Sequence, residues 1–473
     1  MSKLLRLLIA ALSAALLLAA CEDEPDFSSD SHLRLSYSTD SVCFEPLITG
    51  QATSTRTIKV WNNSGEDLKI SNVELRSASN SFQMIVDGRS GTSINNLELL
   101  NGDSLFIFVR ANMQVNDEKQ PVMVNDSIVV RYNGNQDRII LNAIGQNAVV
   151  LRDYTIERDT VWTNEQPFLI FGKLEVAEGA TLTLKAGTEV LFHRGASLSV
   201  AGTLDARGNA SDMVLFSGDR MDEIGPGMPY TNIYGQWEGI TFTETSTNNI
   251  MEGVYMRGAT YGIVVDTAEI DDNQWRLIIA NSEIRTSKRG NLKATDARVK
   301  AYNSVFANGG VQNVYLSGGE YLFNNCTLSE NSVSSLRVRE SLVLRGDETH
   351  PVAAQFNNCI INGTHTNEVS TSEADWCTYS INNSLVNTES ADTATYYKQC
   401  VFNEKAGFDF RLSKLYYYDF HIDSTSFARN IGDTALIKLY PECATDLDGN
   451  VRINNGKVDA GAYAYMETAA PKE

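Results

Sequence analysis

The carboxylates Asp205, Glu252, Asp266, Glu269, Asp271 and Asp272 are the first residues in this chain whose types could do chemistry. Cleaving a glycosidic bond needs two or three such groups at matched separation, one protonated and one ionised. Lyase chemistry on a uronate needs a carboxylate-held cation and an Arg or Lys base. These six acids share no common spacing, so they read first as solvated loop charges. Arg337 and Arg339 lie two apart in "SLRVRES" beside Glu340, which would put both on one strand face. A surface salt bridge is the simpler account of that trio.

The five histidines, His193, His350 and His365 among them, form no spaced pair. No Ser/His/Asp set and no glycine-rich phosphate loop can be assembled by motif. "DLDGN" (Asp446, Asp448, Gly449, Asn450) begins like a calcium loop, because alternating Asp and Asn offer hard oxygens, but it lacks the spaced downstream Glu of an EF-hand. Calcium is thus a minority reading, and no cofactor is expected. Trp237, Trp275, Trp376, Tyr396 and Tyr397 are the candidates for stacking on sugar rings, with Tyr416, Tyr417 and Tyr418 nearby. Packing over loops or coil ends would explain these rings equally well.

The start of the chain bears on the compartment. Lys3 and Arg6 precede an apolar run from Leu7 to Leu18 that only Ser13 interrupts, and small residues lead to Cys21. That run is too short to span a bilayer comfortably, which makes 1–20 a signal peptide. Leu18-Ala19-Ala20-Cys21 resembles the lipobox of bacterial lipoproteins, which implies that Cys21 becomes the lipid-bearing N-terminus and that the membrane is a partner. Each buried acyl methylene contributes about 0.8 kcal/mol, so several chains anchor a domain without a spanning helix. Glu22-Asp23-Glu24 resembles the acidic tag of lipoproteins sent to the outer face of an outer membrane, with periplasmic retention as the alternative. Residues 21–32, with Pro25 and several serines, read as a flexible acidic tether.

The formal charge of −20 repels phosphate backbones and argues against nucleic acid. It would equally repel an anionic polysaccharide unless a local basic patch or a cation intervened. Besides Cys21 there are Cys43, Cys326, Cys359, Cys377, Cys400 and Cys443, with no Cys-x-x-Cys pair. Neither a zinc site nor a compact disulfide framework is indicated.

Two kinds of element must position these groups. Residues 33–148 show short period-two strands such as Thr57-Ile58-Lys59-Val60-Trp61, separated by Asn/Gly turns, which predicts a β-sandwich. "KVWNNSGEDLKISNVEL", "FQMIVDG" and "NGDSLFIFV" resemble immunoglobulin-like modules of the ASPM/SPD-2/Hydin type, which implies a spacer or interaction module.

Beyond Val150 apolar dyads recur: Leu174/Val176, Leu182/Leu184, Val190/Phe192 and Leu198/Val200 at intervals of eight, then Leu204/Ala206 and Val214/Phe216. A chain that turns after each short strand winds into a solenoid filled by those dyads. Asn281-Ser282, Asn303-Ser304, Asn325-Cys326, Asn358-Cys359, Asn383-Ser384 and Gln399-Cys400 recur at coil spacing, the first three intervals being 22, 22 and 33. They predict an asparagine ladder and place Cys326, Cys359 and Cys400 as small interior residues. "GATLTLKAGTEVLFHRGASLSVAGTLDARGNASDMVLFSGDR" resembles right-handed β-helix proteins of the pectate-lyase-like superfamily, and "DLDGNVRINNGKVDAGAYAYME" the C-terminus of secreted proteins known as choice-of-anchor Q. The expected architecture is therefore all-β: an Ig-like sandwich, then a right-handed parallel β-helix over 153–467 with a C-terminal cap. The superfamily contains lyases, hydrolases and non-enzymatic surface proteins, so fold does not fix activity.

The preferred reading is a non-catalytic surface lipoprotein presenting its β-helix to polysaccharide or to a surface protein. The runner-up is a polysaccharide lyase or glycoside hydrolase, and the third is an adhesive or structural stalk. An enzyme would show converging carboxylates, or carboxylates with Arg or Lys, in one groove. A binding module would show a flat stripe of exposed aromatics. A stalk would show neither.

Overall fold

The computed structural model describes residues 26–76, 80–225, 228–268, 274–331, 339–389, 393–408 and 418–467. The chain forms two compact units, the first built mainly from Gly50–Gln114 and Met123–Gly145, the second mainly from Gln146–Glu473.

The first unit is an antiparallel sandwich. One sheet runs in the order Ser36–Tyr37, Arg56–Trp61, Ser104–Ala111, Phe82–Val86, Arg89–Ser90. The other pairs Val122–Tyr132 with Leu68–Leu75 and that strand with Ser93–Leu99, both antiparallel. Alternation explains the core: Ile58, Val60, Met84, Ile107 and Val109 point inward and are buried, as are Ile70, Val73 and Leu97 from the opposing sheet.

The second unit is a parallel β-helix. Gly290–Tyr302 and Val305–Ala307 form one coil, and each strand pairs in parallel with its counterpart one coil on, Gln312–Asn324 and Thr327–Glu330. Each coil carries three faces. The predicted dyads fill the interior in register: Leu174 pairs with Leu198, Leu182 with Leu204, Val190 with Phe216, and all are buried.

The asparagine column has a backbone cause. Asn281, Asn303, Asn325, Asn358, Asn383 and Gln399 all adopt positive φ, between 47° and 55°, and make the bend between the second and third faces. Asparagine tolerates this left-handed conformation better than other non-glycine residues. Side-chain bonds join part of the column, Asn303 Nδ2 donating to Asn281 Oδ1 at 3.1 Å. A second ladder runs through the preceding residues, from Asn382 to Asn357 at 2.8 Å and from Asn357 to Asn324 at 2.9 Å.

The residue after each bend is small because it donates to the carbonyl two positions back. Ser304 Oγ reaches Tyr302 O at 2.8 Å, Cys326 Sγ reaches Asn324 O at 3.4 Å, and Ser384 Oγ reaches Asn382 O at 2.7 Å. Cys326 and Cys359 are interior thiols, and burial raises Cys326 well above its ordinary pKa. Cys400, at the end of the column, is only half-buried.

Residues 418–467 fold back along the third face. Arg452, fully buried, donates to Asn303 Oδ1 at 2.8 Å and to Ala462 O at 2.7 Å. Tyr418, Phe420, Leu447 and Tyr463 cover Val305 and Ala307. Asp446 organises the "DLDGN" turn: its carboxylate accepts from the backbone N–H of Asp448, Asn450 and Ala464 at 2.7 to 3.1 Å. That carboxylate is occupied by backbone donors, as in a folding and capping turn rather than a calcium loop.

Candidate functional site

A groove lies where the first face of the β-helix bends into the second. Gly290–Tyr302 passes the bend at Asp296, with φ 43°, and Gln312–Asn324 passes it at Gly318 and Gly319, with φ 60° and 79°. Because the strands are in parallel register, Arg298 of one coil stands beside Glu320 of the next. Arg298 Nε donates to Glu320 Oε2 at 2.8 Å. The same guanidinium lies 4.6 Å from the ring centroid of Trp275, a cation–π contact that fixes the indole at the lip of the bend.

Three recesses meet around this cluster. A cleft of about 400 Å³ is lined by Glu178, Glu244, Trp275, Arg276, Asp296 and Arg298. An open recess continues past Asp296 to Glu320, Thr349 and His350. A trough of about 430 Å³ leads from Trp275 along the second face past Lys300, Gln355, Tyr379 and Tyr440. Trp275, Asp296 and Glu320 each line two of the three, so the recesses adjoin one another around this cluster.

Arg276 braces the wall. It is buried and donates to the carbonyls of Ser246, Asp266 and Thr243, tying two connecting segments to the strand that follows. Burial lowers its pKa from 12.5, while the neighbouring Asp266 and Glu244 charges oppose that drop. His350 Nε2 stands 3.7 Å from Asp296 Oδ2, and His350 Nδ1 is 2.8 Å from Thr349 Oγ1. Among the described residues no cluster of three or more His, Cys, Asp or Glu is placed to hold a metal ion.

The residues singled out in the sequence fare differently. Trp275 is in the groove. Trp376 is 37% exposed, on the short turn Ala374–Trp376, and lines none of the three recesses. Tyr396 is half-buried, stacked on Tyr379 with centroids 4.4 Å apart. Two assignments are corrected. Trp237 is wholly buried, stacked on Phe192 at 4.1 Å with Nε1 donating to Arg257 O, because the coil interior needs a large apolar plug at that level. Tyr397 is also interior, edge-on to Phe402 at 5.6 Å, so neither ring can receive a sugar.

Asp205 and Glu252 share Arg207, at 2.7 and 3.2 Å, as a surface ion-pair group. Cys21, Glu269, Asp271, Asp272, Arg337, Tyr416 and Tyr417 lie outside the described residues. Sequence reasoning missed Glu178, Glu244, Asp296, Arg298 and Glu320, and named His350 only as a histidine without a spaced partner; these six belong to the polar lining of the groove.

No family model matches this sequence, and no curated protein does. Among solved structures, a family 123 glycoside hydrolase from Clostridium perfringens is similar at 13% identity and TM-score 0.20, over 27% of this chain and 30% of that one. A PapD-like domain of human CEP192 gives 9% identity and TM-score 0.17, over 27% and 95%. The catalytic unit of an α-1,3-glucanase from Streptomyces thermodiastaticus gives 8% identity and TM-score 0.19, over 73% and 89%. The chain thus spans less than a third of the Clostridium enzyme it matches. Likeness at this level assigns no chemistry, and the groove has to be read from its own residues.

Proposed function

We propose that this protein is a lipid-anchored envelope protein, tethered through Cys21 on the outer face of an outer membrane, that binds a glycan chain in the groove around Trp275 without cleaving it. The observation that carries the reading is the Trp275–Arg298–Glu320 cluster at the junction of the three recesses. An aromatic face takes the C–H side of a sugar ring, and Lys300, Glu320 and Gln355 along the trough supply hydroxyl partners. Glu320 is already held by Arg298, which suits positioning better than proton transfer.

The test is a glycan array probed with the full chain carrying Cys21→Ala, beside the same chain with Trp275→Ala. Binding that disappears with Trp275 supports the reading; binding indifferent to it removes the groove from consideration. A second reading, glycoside hydrolysis, is favoured by one observation: Glu178, Glu244 and Asp296 line a single cleft. Release of reducing ends from a polysaccharide, lost in Glu244→Gln, would replace the non-catalytic reading with this one.

A further inference from the structure

The sandwich carries an outward face that breaks its own pattern. In "SLFIFVRA" the inward residues Leu105, Ile107 and Val109 are buried as expected, yet the outward positions hold Phe106 and Phe108, 43% and 36% exposed. Ile85, 41% exposed, pairs with Phe108 on the next strand. The opposite sheet is mostly polar on its outward side, with Asn72 bonded to Ser93 and Asn95, Arg131 paired with Glu74, and Lys69 near Glu98; Met123 and Ile140 are exposed there, but neither is aromatic. A solvated antiparallel face reads polar, so a strand that is apolar on both sides marks a face that meets a partner.

Geometry and charge say what kind. The Phe106 and Phe108 rings, two residues apart on the central strand of the sheet, have centroids 6.1 Å apart and planes 20° from parallel. Lys59, opposite Phe106 in register, holds its ammonium 5.1 Å from the Trp61 centroid and 5.5 Å from that of Phe106. At the other end Arg110 is oriented by Gln83, Nε to Oε1 at 2.6 Å. Two cations therefore flank this pair of exposed rings in a chain whose formal charge is −20. An anionic polymer repelled elsewhere is steered to such a patch.

The geometry points to this face as a second binding site, for an acidic polysaccharide: pyranose rings stack on Phe106 and Phe108, and their carboxylates meet Lys59 and Arg110. The cations beside the exposed rings match a polymer that carries carboxylates on its own rings. The site is independent of the Trp275 groove.

Affinity electrophoresis of the full chain carrying Cys21→Ala, in gels containing polygalacturonate or neutral dextran, tests it. Polygalacturonate retards the parent protein; the F106A/F108A pair weakens that binding roughly tenfold or more. K59Q/R110Q weakens it too and removes its sensitivity to salt. Trp275→Ala leaves it unchanged, so loss of the groove reading and loss of this one are separable. All four side chains point outward, and unchanged thermal melting verifies folding; should the aromatic pair fail to fold, the charge pair still decides. An unretarded parent, or an F106A/F108A protein retarded equally, overturns the proposal. So does binding to vesicles of anionic phospholipid, or self-association, that depends on Phe106 and Phe108 while polygalacturonate has no effect.

Discussion

Gly318 stands directly over Asp296: a Cβ at residue 318 would fall 2.0 Å from Asp296 Oδ1 and 3.2 Å from His350 Cβ. The same device recurs at another bend, where a Cβ on Gly172 would fall 2.1 Å from Asp153 Oδ1. In both cases an Asp at positive φ on one coil is roofed by a glycine at positive φ on the next. Gly318→Ala adds a left-handed strain and a clash at once, so it should cost about 1–3 kcal/mol and displace Asp296 and His350. Thermal unfolding and glycan binding should fall together. A variant as stable as the parent would mean that the bend relaxes freely.

The two tryptophans of the β-helix should separate cleanly. Trp237→Ala removes a buried ring stacked on Phe192 and should cost about 3–5 kcal/mol. Trp275→Ala removes a ring at the lip of the groove; it should change stability little and abolish binding. Chemical denaturation of both variants checks this, and equal losses would refute the division between plug and lip.

The solenoid was legible because its signals repeat. Dyads such as Leu182/Leu184 and Leu204/Ala206 must face one interior, so the same residue class returns at coil spacing. The groove was not legible, because its members do not repeat. Asp296 is followed one coil later by Gly318, and Arg298 by Glu320, so each column changes residue type at the groove. Trp237 misled because a ring's type does not say which side of the coil it faces; Trp237 bridges Ala259 of the next coil and its ring turns inward. The run Leu105-Phe106-Ile107-Phe108-Val109 announced a strand, and only the pairing register revealed that its second face is uncovered.

The C-terminal segment should depend on Arg452. Its guanidinium is fully buried and reaches both Asn303 on the coil and Ala462 within the segment. Burial lowers its pKa and the Asp446 charge opposes that drop. Arg452→Ala leaves Asn303 Oδ1 and the Ala462 carbonyl without this donor and opens a cavity, a loss of about 3–5 kcal/mol. Limited proteolysis should then cut within 418–467 well before the coils. Resistance equal to the parent's would show that the apolar contacts of Tyr418 and Phe420 hold the segment by themselves.

The same segment should loosen in alkali, and the sign follows from His421. Its Nδ1 lies 2.5 Å from Asp419 Oδ1, its Nε2 lies 2.7 Å from Asp448 Oδ2, and its ring packs against Tyr463 at 3.8 Å. Burial pulls the imidazole down, but the bonds to the two carboxylates outweigh it and raise the pKa from 6.5 to about 10. A raised folded-state pKa contributes stability that is complete below the unfolded value and fades as pH climbs through the folded one. Asp419 works at the other end: burial raises its pKa, its bonds to His421 prevail and lower it from 3.8, and that contribution is lost only in strong acid. Protease resistance of 418–467 should therefore decline between about pH 6.5 and 10, and His421→Gln should be weaker at neutral pH with a flat profile across that range. A parent profile parallel to that of the variant would assign the loss to other groups.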